Sequence, residues 1–112
     1  MLDQNLVVWQ RFNDRRRDAV RALVTDDLIE EHRRDPRGPH SDALSRVLRY
    51  FRVQPIPGKE IVLEHLPFRE YGIGIMTGVP GEPAEPLEER FASYDEALHE
   101  IFLRRVRNLR AI

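Results

Sequence analysis

Around Gln54-Pro55-Ile56-Pro57-Gly58 the apolar pattern of this sequence changes period. Before it, Leu44, Val47, Leu48 and Phe51 recur at i, i+3, i+4 and i+7, the stripe of an amphipathic helix. After it, in KEIVLEH, Ile61 and Leu63 alternate with Val62 and Glu64, which suits a half-buried strand. Proline stops a helix because it lacks the N–H and its ring clashes with the preceding turn. LPFRE then reads as a turn and YGIGIMTGV as a second strand, so the two strands form an antiparallel hairpin. Ser93, with Glu96 three residues later, is a capping box that opens a last helix running almost to the C-terminus. Helices, then a hairpin, then a helix predict an α+β fold.

The N-terminal part is helical throughout. From about Gln4 to Leu23, Trp9, Phe12, Ala19, Val20 and Leu23 fall on one stripe. Thr25 caps a second helix, DDLIEEHRR, with Asp26 and Asp27 in the first turn where the macrodipole favours them. DPRGP ends it, and Ser41 caps the third helix, which runs to about Arg52. PGEPAEPLEE, rich in proline and acid, reads as a solvated loop, with a short strand at Arg90–Phe91 before the last helix. At 112 residues, residues 1–112 make one domain with one modest core.

Several chemistries are excluded or disfavoured. The chain has no cysteine, so it has no disulfide, thiolate metal site or cysteine nucleophile. Gly58-Lys59 does not complete the phosphate-binding pattern G-x-x-x-x-G-K-[ST]: Val53 stands at the first glycine, Glu60 follows the lysine, and a strand comes next. Gly72-Ile73-Gly74 lacks the third glycine of a dinucleotide fingerprint, Thr77 being there instead. Gly72, Gly74, Met76 and Gly78 share one face of the strand, which admits close approach by the last helix or by a partner. His32, His40, His65 and His99 have no metal-ligand spacing. No run reaches the ~18 apolar residues of a membrane span, and no basic leader precedes the first apolar stretch. A cytoplasmic protein with no membrane partner is expected.

The basic residues are seventeen arginines and one lysine, balanced to a net charge of −1. That balance and the acidic loop argue against a nucleic-acid partner, for which the arginine-rich helices would be the surface. Arg16 falls inside the apolar stripe of the first helix, between Phe12 and Val20. Arg105 falls at the centre of the face made by Leu98, Ile101, Phe102 and Leu109. Such a guanidinium either snorkels at the edge of the core or meets carboxylates from another chain. Leu103, nearly opposite Leu98, widens the apolar belt of the last helix beyond what one small core uses, which favours a subunit interface.

Four segments in order, WQRFNDRRR, LIEEHRRDPRGPH, RVLRYFRVQPIPGK and ERFASYDEALHEIFLRRVRNLRA, carry a family resemblance. Together they resemble the small (alpha) subunit of N,N-dimethylformamidase, YFRVQP followed by Gly58-Lys59 being the most specific piece. The resemblance implies a two-subunit amidohydrolase that converts a formamide to formate and an amine. It also implies a mononuclear iron held by tyrosines and a glutamate of the large subunit. No catalytic, cofactor-binding or metal-ligating residue is carried over to this chain. The expected role is that of a non-catalytic subunit packed on the large one through Arg16, Tyr50, Phe51, Leu103 and Arg105. The rival expectations are a stand-alone interaction or regulatory module and an arginine-rich nucleic-acid-binding domain.

Overall fold

Three hydroxyl side chains start three of the four helices. In the computed structural model, which describes residues 4–111, Thr25, Ser41 and Ser93 accept the N–H of Leu28, Leu44 and Glu96 at 3.2, 3.2 and 3.1 Å. Each bond satisfies one of the donors that a helix leaves unpaired at its N-terminus. The elements are α1 (Gln4–Leu23), α2 (Asp26–Arg34), α3 (Asp42–Arg52), β1 (Glu60–Leu66), β2 (Glu70–Ile75), β3 (Glu85–Pro86) and α4 (Tyr94–Arg110). This is the expected α+β order.

The core lies among the four helices. Val20 and Val24 from the end of α1, Leu28 of α2, Leu44, Val47, Tyr50 and Phe51 of α3, and Phe102, Val106 and Leu109 of α4 form one buried cluster. Two arginines tie the C-terminal ends of α1 and α4 together. Arg21 donates to the Leu109 carbonyl at 3.1 Å, and Arg110 to the Val24 carbonyl at 3.4 Å. Cations placed there also oppose the negative ends of the helix dipoles. Glu31 joins α2 to the start of α3 by accepting from the Ser41 backbone N–H at 2.6 Å and its hydroxyl at 2.7 Å.

The sheet is antiparallel in the order β1-β2-β3. Val62 pairs with Ile73 and Leu63 with Gly72, and a bulge interrupts the register between Glu64 and Leu66. The expected loop over PGEPAEPLEE is corrected in part: Glu85 and Pro86 add a third strand by pairing with Ile75 and Gly74. The strand expected at Arg90–Phe91 is a single bridge, in which Phe91 and Tyr71 exchange N–H···O bonds of 2.8 and 2.9 Å.

Two other expectations change. Phe12 belongs to the apolar stripe expected for α1, yet it is 60 % exposed, and Ala19 is exposed too. Among the described residues of α1, full burial is reached only near its C-terminus, at Val20. The Trp9 side chain lies outside the described residues. At Gly72 and Gly74, the atoms nearest the glycine face of β2 are not those of α4. The atoms nearest a β-carbon at Gly74 belong to Leu63 and Ala84, and at Gly72 to His65 and the Glu89 carbonyl.

Candidate functional site

The link between α3 and β1 is folded back on the helix it leaves. Gln54 donates from its amide to the Tyr50 carbonyl at 3.0 Å. The Lys59 ammonium reaches the Arg52 carbonyl at 2.5 Å and the Gln54 carbonyl at 3.4 Å. Lys59 thus satisfies the Arg52 carbonyl that α3 leaves open at its C-terminus, where a cation is favoured, and a carbonyl of the link beyond it. Burial, with the neighbouring charges of Arg105 and Arg52, lowers its pKa. Gly58 N–H donates to the Met76 carbonyl and Met76 N–H to the Lys59 carbonyl, both at 2.8 Å, which pins the link to the end of β2.

Against this link lies an open concavity of about 310 Å³. Tyr50, Phe51 and Leu109 give it apolar walls, and Arg17, Lys59, Glu60 and Arg105 give it charge. Arg105 donates from Nε to the Glu60 carboxylate at 3.0 Å and from Nη2 to the Glu60 carbonyl at 2.9 Å. The acid that its place in an apolar stripe demands therefore comes from the first residue of β1. Arg16 lies beside the concavity, its guanidinium 5.9 Å from the Tyr50 ring centre and 6.0 Å from that of Phe12. Among the described residues, cation–π attraction takes the place of an ion pair at that position.

Three of the five residues expected at an interface, Tyr50, Phe51 and Arg105, are thus brought to one concavity, with Arg16 next to it. Tyr50 and Phe51 are mostly buried in the chain's own core, and burial raises the pKa of the Tyr50 hydroxyl. Leu103 is half-buried elsewhere on α4 and does not line the concavity. Sequence reasoning did not find Glu60 or the capping role of Lys59. The stranded charge of Arg105 was the signal for an internal acid, but its partner lies 45 residues away.

A second cluster gathers three histidines. His32 is 2 % exposed, and its ring stacks on Phe102 at 4.0 Å between centroids. Its Nδ1 lies 2.9 Å from Nδ1 of His99, so one ring donates a proton and the other accepts it. Burial first, then repulsion from His99 and His40, lowers the His32 pKa to about 4. Burial and then Arg33 lower that of His99. His40 donates from Nε2 to the Asp35 carbonyl at 2.8 Å, beside the stack.

The family model of the N,N-dimethylformamidase alpha subunit matches residues 7–112. The chain belongs to that family. It is 36 % identical over 109 residues to the N,N-dimethylformamidase alpha subunit of Alcaligenes sp., covering 92 % of this chain and 82 % of the relative. It is 29 % identical over 113 residues to the alpha subunit from Paracoccus aminophilus, covering 96 % and 79 %.

Among the described residues, the donors at the concavity do not gather into an iron site. Tyr50 and Glu60, a phenol and a carboxylate, both border the concavity, yet burial keeps the phenol protonated and Arg105 occupies the carboxylate. His32 and His99 each spend Nδ1 on the other. Among the described residues no three His, Cys, Asp or Glu side chains gather around a metal-sized site. Among those residues, too, no helix is long and apolar enough to cross a membrane.

Proposed function

We propose that this chain is the non-catalytic small subunit of an iron-dependent amidohydrolase of the N,N-dimethylformamidase type, acting in the cytoplasm. The large partner subunit holds the iron and hydrolyses a formamide to formate and an amine. The observation that carries this reading is the match of residues 7–112 to the alpha-subunit family.

The geometry supports a docking role. The first half of α1 leaves Val8 65 % and Phe12 60 % exposed at i and i+4, an apolar edge that continues through Arg16 to the concavity at Tyr50. The large subunit covers this edge. The arginines that a nucleic acid would need are largely engaged: Arg17 pairs with Asp14, Arg104 with Glu89, and Arg107 with Glu100. Such pairing leaves little unneutralised charge for phosphates.

The test is formate release from a formamide by the small chain alone, by the large subunit of the same source alone, and by the two co-expressed. Activity is expected with the co-expressed pair and none with the small chain alone. Formate production by the isolated small chain would overturn the reading.

A further inference from the structure

The tip between β1 and β2 carries Pro67, Phe68 and Arg69. Phe68 has φ 62°, the left-handed region that bulky side chains rarely occupy, and it is 90 % exposed. Two unfavourable features thus meet at one residue: a strained backbone and an aromatic ring left in water. Glycine or asparagine would remove both. Leu66, two residues earlier, is 51 % exposed, and the turn is closed by Arg69 N–H donating to its carbonyl at 3.0 Å. The bulge between Glu64 and Leu66 bends β1 just before the tip. Phe68 also walls a recess of about 320 Å³ shared with Tyr71 and Tyr94, whose rings meet edge to face at 6.1 Å, and with the ion pair of Arg37 and Asp95 at 2.8 Å.

We propose that Phe68 is an anchor residue that inserts, with Leu66, into an apolar cleft of the large partner subunit. This rests on the small-subunit reading above. A second copy of the chain is a poor occupant, because two convex side chains fall far short of the roughly 800 Å² per partner that a stable dimer buries. An anchor of this kind works inside a wider contact, as buried aromatic hot spots do. The layout supplies that width. The concavity lies at the start of β1 and Phe68 just past its end, seven residues at about 3.3 Å each, so roughly 20 Å separates them. A surface reaching both belongs to a large partner.

The test compares Phe68→Asn and Phe68→Gly with Val79→Asn, an exposed apolar residue away from the tip, all in the full chain. Two quantities are read: the thermal unfolding midpoint of the small chain, and its affinity for the large subunit of the same source. Both Phe68 variants are expected to unfold at or above the parent midpoint, yet to bind the large subunit about tenfold or more weakly. Val79→Asn is expected to bind like the parent. Parent-like affinity in both Phe68 variants overturns the anchor while leaving the small-subunit reading intact. A lowered midpoint with unchanged affinity makes Phe68 a structural residue and also overturns it. Parent self-association that the Phe68 variants abolish points to a second copy and overturns it. A parent chain that does not bind the large subunit overturns both.

Discussion

Arg105 of α4 grips Glu60 at the start of β1 twice, at 3.0 Å on the carboxylate and 2.9 Å on the backbone carbonyl. The pair joins the helical layer to the sheet beside the concavity. It is partly covered, the side chains being 23 % and 11 % exposed, so solvent screens some of its strength. Arg105→Ala is expected to cost about 2 kcal/mol, since it strands a largely buried carboxylate. Glu60→Gln, which keeps the carbonyl acceptor, is expected to cost about 1 kcal/mol. Urea titrations check both, and a cost below about 0.5 kcal/mol for Arg105→Ala would reduce the pair to a surface ion pair.

Lys59 acts on a helix end and not on a phosphate. Lys59→Met is expected to lower stability by about 0.5–1 kcal/mol, the worth of a cation at a helix C-terminus. Inorganic phosphate is expected to leave the unfolding midpoint of the parent unchanged. A phosphate-dependent rise, lost in Lys59→Met, would reverse the assignment.

The His32–His99 pair makes stability depend on pH with a definite sign. The folded-state pKa of His32 is lowered to about 4, whereas the unfolded chain takes up that proton near 6.5. The stabilisation is therefore complete above about 6.5, declines as pH falls, and levels off below about 4. Its upper bound is on the order of 3 kcal/mol. Glu30 and Glu31, whose pKa values are lowered by hydrogen bonds from Arg33 and Ser41, act in the same direction but below the ordinary carboxylate range. Denaturant titrations between about pH 5 and pH 7 therefore isolate the histidines. His32→Phe, which keeps a ring against Phe102, is expected to flatten the profile there; an equal slope in parent and variant would contradict the assignment.

Gly74 is constrained by what surrounds it. A β-carbon there would lie 2.9 Å from Leu63 Cδ1 and 3.0 Å from Ala84 Cβ, the residue just before β3. Gly74→Ala is expected to cost about 1–3 kcal/mol through overpacking. Gly72→Ala is expected to cost less, because its nearest neighbour is the movable His65 ring. The reverse order in thermal unfolding would show that the β3 segment shifts freely.

The helices were legible because their signals are local: Thr25, Ser41 and Ser93 cap the helices their sequences announce. The hairpin was legible from the change of period after Pro57. What stayed hidden depends on distant partners. Glu85-Pro86 has no strand signal of its own and pairs only because β2 leaves an edge open. Phe12 fits the stripe of α1 but stays 60 % exposed, since which part of a stripe is covered depends on its neighbours. Arg105 was visible as a misplaced charge, while Glu60 became its partner only once β1 was laid against α4. His32 and His99, 67 residues apart, share a proton because α2 and α4 bury the two rings together.

The most direct measurement is size-exclusion chromatography of the co-expressed small chain and large subunit, with formate release assayed across the peak. A single species containing both chains is expected, with activity that follows the complex and is absent from the small chain alone. Two separately eluting chains, or activity that follows the small chain, would contradict its assignment as a non-catalytic subunit.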